Sequence, residues 1–155
     1  HQNGIYDYMC VNKKIISLDA LIKEYFEQMI QALESSIEFN VLAHFEYGLR
    51  MIDISIIEFD NLASKFLNKI IELIVKKEIA FEVNTKSIYR YKKENLYNYM
   101  IEKYLKKGGK LFTLGSDAHN IKDYAYKFDE ATKFLLSKKI KEIILFKDKI
   151  KMEKI

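Results

Sequence analysis

The sequence predicts an α/β fold built on a parallel sheet. Apolar runs of strand length alternate with segments of helical spacing, the pattern of repeated βα units. The candidate strands are apolar at nearly every position, as expected when both faces of a sheet are covered. Three of them run into polar residues at their C-terminal ends, the edge where α/β folds carry out chemistry.

Residues 1–14 read as irregular, with Asn3-Gly4 as a turn signal. Ser17 can cap a helix over 18 to about 35, in which Leu21, Ile22, Tyr25, Phe26, Met29, Ile30 and Leu33 recur at helical spacing. The apolar run 39–45 is the first strand. Residues 49–60 are apolar without a clear period and receive no assignment. A helix over about 61–77 buries Leu62, Phe66, Ile70, Leu73 and Ile74. The second strand is 79–84, and a helix over about 93–107 stops at Gly108-Gly109. The third strand is 110–115, followed by a helix over about 123–137 and a last strand at 142–146. No Pro-, Ser- or Gly-rich linker interrupts this order, so residues 1–155 read as one domain.

The bulk numbers exclude several classes. Of 155 residues, 49% are hydrophobic and 31% charged, ordinary for a globular domain. The net charge of +4 is dispersed as single Lys residues and Lys-Lys pairs beside acids, so no nucleic-acid stripe forms. No apolar run approaches the ~20 residues that span a membrane. The lone Cys10 excludes an internal disulfide and suits a reducing, cytoplasmic compartment.

In a parallel sheet all C-terminal strand ends share one rim. The first ends at His44 and Glu46, the second at Glu82 and Asn84-Thr85, the third at Gly115-Ser116-Asp117-Ala118-His119. Imidazole and carboxylate are the side chains that hold hydrolytic divalent metals. Each residue also has a plainer reading. His44 alone can be a core histidine bonded to a backbone carbonyl. Asp117 can cap the following helix, and Asn84 and Thr85 can satisfy loop backbone groups. Arg50 can be a surface cation paired with Asp53. His1 stands at a terminus, where order is least expected. Gathered on one rim, they favour a metal site.

These segments resemble the histidinol-phosphatase branch of the PHP (polymerase and histidinol phosphatase) superfamily. Val41-Leu42-Ala43-His44-Phe45-Glu46 is similar to its V-L-G-H-x-D strand end, and Ala80-Phe81-Glu82-Val83-Asn84-Thr85 to its A-L-E-V-N-T segment. Residues 108–119, G-G-K-L-F-T-L-G-S-D-A-H, resemble the family's G-G-K-x-x-T-L-G-S-D-A-H almost residue for residue. Phe128-Asp129-Glu130-Ala131 and Lys141-Glu142-Ile143 follow in the family's order. The resemblance implies about four βα units of a distorted seven-stranded β/α (TIM-like) barrel. It implies up to three divalent metals, zinc, iron or manganese, with His1, His44, Asp117 and His119 among their ligands. It also implies that Arg50, with Arg90 as a second candidate, grips a substrate phosphate, while Glu82 and Asn84 support the ligands.

The activity so implied is hydrolysis of L-histidinol phosphate to L-histidinol and phosphate, in histidine biosynthesis. Another PHP-type phosphoesterase and a non-catalytic, degenerate PHP module are the alternatives. The family's N-terminal H-x-H motif is absent, and a whole β/α barrel takes ~250 residues. The chain is therefore expected to be a C-terminal part with little activity alone. Open barrel edges are then expected to be covered by a second copy or a complementary chain. The expected small-molecule partner is a phosphorylated substrate. Glu46 stands where the family has Asp, and Ala43 where it has Gly.

Overall fold

The computed structural model describes residues 8, 16–147 and 149–155. His1, the Asn3-Gly4 turn and Cys10 lie outside the described residues.

Helix α1 (Leu18–Glu34) begins at Ser17, whose hydroxyl accepts from the Ala20 amide. Strand β1 (Val41–Leu42) is followed by a single 3-10 turn, Tyr47–Leu49. Helix α2 (Ile56–Lys76), strand β2 (Ala80–Asn84), helix α3 (Glu94–Lys106) and strand β3 (Phe112–Gly115) continue the alternation. Helix α4 (Phe128–Ser137) leads to β4 (Glu142–Lys147) and β5 (Lys149–Lys154).

The sheet has the order β1-β2-β3, all parallel. Chain order and spatial order coincide, with no reversal point of the doubly wound kind. Val41 lies beside Ala80, Phe81 beside Phe112, and Asn84 beside Gly115. Strand alternation divides the work of β2. Phe81 and Val83 enter the hydrophobic core, where the Phe81 ring meets Phe45, Tyr97, Tyr104 and Phe112. Glu82 and Asn84 face the other way and reach the rim. Helix α2 packs against both α1 and α3, and Phe26, Phe59, Leu67, Ile70 and Ile74 are fully buried between them.

The elements differ from expectation in five places. Strand β1 is short because His44 adopts a left-handed backbone (φ 53°) that turns the chain off the sheet. Helix α2 starts at Ile56 rather than near 61, because the Ser55 hydroxyl accepts from the Glu58 amide and caps it. A five-residue π-helical turn, Lys86–Arg90, joins β2 to α3. Helix α4 starts at Phe128 rather than near 123, since Lys127 (φ 60°) is left-handed and residues 121–123 form a separate 3-10 turn. Finally, β4 pairs antiparallel with an unforeseen strand, β5, so three parallel strands are seen where four were expected.

No helix among the described residues is long and apolar enough to cross a membrane.

Candidate functional site

The C-terminal ends of β1, β2 and β3 do converge: Arg50 joins the ends of β1 and β3, and Glu82 and Asn84 of β2 reach His44. Its Nε donates to Glu46 Oε1 at 3.0 Å, its Nη1 to Asp117 Oδ2 at 3.0 Å, and its Nη2 lies 3.1 Å from His44 Nδ1. The guanidinium lies between the rings of Tyr47 and Tyr91, 5.0 and 5.2 Å from their centroids. The Arg50 side chain is 3% exposed, so the reading of a surface cation paired with Asp53 is corrected. Burial opposes its charge, but the adjacent Glu46 and Asp117 carboxylates outweigh burial and raise its pKa.

Glu46 is fully buried and has two partners, Arg50 on Oε1 and the Tyr97 hydroxyl on Oε2 at 2.7 Å. A buried carboxylate needs that compensation. Tyr97 is buried too, and burial first, then the neighbouring Glu46 charge, raises its pKa well above the ordinary value. It donates a proton in a hydrogen bond and stays neutral.

His44 is held at its amide, its carbonyl and its ring Nδ1. Its amide donates to Glu82 Oε2 at 3.1 Å and its carbonyl accepts from the Tyr25 hydroxyl at 2.7 Å. Its Nδ1 lies 3.2 Å from Asn84 Nδ2. The orientation of that amide follows from its other bonds: Asn84 Oδ1 accepts from the Ser87 amide at 3.0 Å, and Nδ2 donates to Glu82 at 3.2 Å. Arg50 and the Asn84 amide nitrogen are both donors only, and Glu82 Oε2, an acceptor, lies 3.5 Å from the same Nδ1, so the ring nitrogen meets partners of both kinds.

Glycine at 115 has a steric cause. A Cβ there would stand 2.0 Å from Glu82 Oε1, which is impossible without displacing the carboxylate that holds His44. Gly115→Ala is expected to destabilise the chain by about 1–3 kcal/mol, the range for forced overpacking. It should also move the His44 ring resonances in a proton NMR spectrum. Unchanged stability and resonances would contradict the packing described.

Asp117, like His44, is left-handed (φ 51°), so both strand-end residues occupy sparsely populated backbone. Besides Arg50, it meets Lys86: Nζ donates to the Asp117 carbonyl at 3.1 Å and lies 3.5 Å from Oδ2. Burial pushes the Asp117 carboxyl up, but the Arg50 hydrogen bond and charge, with His44 and Lys86, hold it below its ordinary 3.8. A depressed carboxyl adds stability that is complete above the ordinary value and is lost as pH falls through the folded one. Urea midpoints measured downward from pH 5 should therefore fall more steeply in the native chain than in Asp117→Asn. Parallel curves would show that Asp117 titrates normally.

His119 is the most open member, its side chain 74% exposed. Its Nδ1 lies 2.9 Å from the Asp117 carbonyl and 3.4 Å from Lys86 Nζ. With the proton on Nδ1 and given to that carbonyl, the Nε2 lone pair is left for a cation. Arg90 stands apart from this cluster in its contacts, bonded to Asp123 at 2.7 Å and stacked on Tyr126. His1 lies outside the described residues.

Asp117 and His119 suit a divalent ion in donor type. His44 suits it in type, but its Nδ1 already faces two donors. Among the described residues, no three His, Cys, Asp or Glu side chains are grouped closely enough to hold an ion by themselves. Lys86, Tyr25, Tyr97 and Tyr91 take part in the site and were not singled out by the sequence. Only Glu46 and Arg50, four apart, left a local signal, as an i,i+4 acid–base pair.

No family model matches the chain. A probable histidinol-phosphatase of Thermotoga maritima is 33% identical over 102 residues, 65% of this chain and 41% of that protein. A probable histidinol-phosphatase of Clostridium acetobutylicum is 29% identical over 126 residues, 79% of this chain and 49% of that protein. The chain thus spans less than half the length of these curated relatives. The crystal structure of histidinol phosphate phosphatase from Lactococcus lactis, complexed with zinc, L-histidinol and phosphate, superposes with a TM-score of 0.71. It is 22% identical and is matched over 96% of this chain and 55% of its own. In sequence and in fold, then, the chain is similar to histidinol-phosphatases.

Proposed function

We propose that these residues form part of a metal-dependent phosphate monoesterase of the PHP type whose substrate is L-histidinol phosphate, acting in histidine biosynthesis in the cytoplasm. The observation that carries this reading is the convergence of three strand ends on one rim, with His44 and Asp117 bonded to a single guanidinium and His119 beside them. The relatives' names and the zinc, histidinol and phosphate of the Lactococcus structure support it. The three parallel strands in sequential order support a segment of a β/α barrel, with the remaining strands and ligands supplied from outside the described residues.

In this reading Asp117, His119 and His44 hold divalent metal, zinc, iron or manganese, up to three ions in the complete site. Bound metal supplies Lewis acidity and hydroxide at neutral pH for attack on phosphorus. The chain's own residues do the rest. Asp117 lowers the net positive charge of the rim. Arg50, fixed by Glu46 and stacked between two rings, cannot lose its proton and keeps a permanent positive charge at the place where a phosphate dianion binds. Tyr97 and Glu46 keep that guanidinium in one orientation. Tyr25 and Glu82 hold the His44 backbone, and Asn84 holds its ring. Arg90, tied to Asp123, is the outer candidate for phosphate. No Ser or Cys nucleophile is required.

The test is hydrolysis of L-histidinol phosphate, with zinc or manganese, by protein carrying these residues in a complete barrel. Turnover of that ester ahead of a panel of sugar and nucleotide phosphates supports the reading. Preference for a panel member would reassign the substrate, and absence of metal-dependent turnover would favour the non-catalytic module. The 155 residues alone are expected to show little turnover.

A further inference from the structure

The ladder between β2 and β3 ends at Asn84 and Gly115. Beyond that pair, side chains take over from backbone in holding the segment that carries Asp117 and His119. Three residues of the β2–α3 connection reach three successive points of it. Thr85 Oγ1 donates to the Gly115 carbonyl at 3.3 Å, Lys86 Nζ to the Asp117 carbonyl at 3.1 Å, and Arg90 Nη2 to Asp123 Oδ1 at 2.7 Å. Lys86 and Arg90 open and close the π-helical turn, and Thr85 precedes it.

The middle tie is the one beside the histidine. Lys86 Nζ and His119 Nδ1, 3.4 Å apart, both meet the Asp117 carbonyl, Nδ1 at 2.9 Å. A carbonyl oxygen has two lone pairs and can accept from both. Asp117 Oδ1 lies farther from Nδ1, at 3.8 Å. A carbonyl only accepts, so its bond to Nδ1 places the ring proton there.

From this geometry we infer that Lys86 is a positioning residue for His119: its ammonium fixes the Asp117 carbonyl, and that carbonyl fixes the tautomer and orientation of the imidazole. The inference rests on the reading of His119 as a working member of the phosphatase rim. The ring has little packing to hold it, with its side chain 74% exposed. A free imidazole favours the proton on Nε2, which would remove Nε2 as an electron-pair donor. Asp117 is left-handed, a conformation that persists where its surroundings impose it, and the ammonium on its carbonyl is one such constraint. Of the three ties, Lys86 is the one that touches the carbonyl His119 bonds. Its loss should therefore act on the ring in a way that loss of the Arg90–Asp123 tie does not.

The experiment is proton–nitrogen correlation NMR of the histidine rings in the whole chain at about pH 8, where imidazole is neutral. It compares the native chain, Lys86→Met and Arg90→Gln, with the His119 signals assigned from their loss in His119→Gln. The native chain and Arg90→Gln are expected to show His119 mainly in the Nδ1–H form. Lys86→Met is expected to shift the tautomer ratio toward Nε2–H by roughly fivefold, the equilibrium worth of one hydrogen bond. A native His119 in the Nε2–H form, an unchanged ratio in Lys86→Met, or an equal shift in Arg90→Gln would each overturn the inference. Should Lys86→Met fail to fold, Lys86→Ser, whose hydroxyl is too short to reach the carbonyl, must show the same shift. Turnover plays no part in this measurement. Hydrolysis of L-histidinol phosphate decides the phosphatase reading, and the ring spectrum decides the role of Lys86.

Discussion

Arg50→Ala is expected to destabilise the chain by about 3–5 kcal/mol, the cost of removing one partner of a buried ion pair. The large value comes from what is left behind. Glu46 is fully enclosed, and without the guanidinium its charge keeps, among the described residues, the Tyr97 hydroxyl as hydrogen-bond donor. His44 Nδ1 loses a donor, and the gap between Tyr47 and Tyr91 loses its filling. Arg50→Lys should recover little, because one ammonium cannot bond Glu46, Asp117 and His44 at once. Urea denaturation of the three proteins is the measurement. A loss under about 1 kcal/mol for Arg50→Ala would mean that Glu46 reaches water or takes up a proton, contrary to its burial.

Asp117→Asn is expected to lower metal-dependent phosphatase activity by about a hundredfold or more in protein with a complete barrel, and to abolish zinc binding in the chain itself. Asn is the informative replacement. It matches Asp in shape and tolerates the left-handed backbone found at 117, so the turn after β3 persists and the lost property is the charge. Circular dichroism should match the native chain. Retention of full activity in Asp117→Asn would sink the hydrolase reading, since no other described carboxylate faces both Arg50 and Lys86 among the contacts described.

What the sequence revealed and what it hid follow from range of interaction. Alternation of apolar runs with helical spacing is local, so the order of α1, β1, α2, β2, α3 and β3 could be read directly. The Ser55-Ile-Ile-Glu58 cap is local as well and marks the true start of α2, although the blurred periodicity of 49–60 concealed it. The alternation of Lys149, Lys151 and Glu153 with Ile150 and Met152 likewise signals β5. Other features depend on partners remote in the chain. Tyr25 reaches His44 across 19 positions, Tyr97 reaches Glu46 across 51, and Asp117 reaches Arg50 across 67. Nothing in the residues around 86 announces that a lysine there meets a strand end 31 positions later. The rim itself was legible because parallel topology gathers strand ends. The lysine standing among its acids was not, because its placement is decided by folding of the π-helical turn.

The Tyr25 hydroxyl ties α1 to the His44 carbonyl, just past the end of β1. A shortened protein that opened at the first strand would keep His44, His119 and the acids and arginines of the rim. It would nonetheless leave the His44 carbonyl unanchored and free the tight bend that aims the imidazole. The helix preceding the sheet is thus a latch, and any transplant of this rim onto another scaffold has to carry it along.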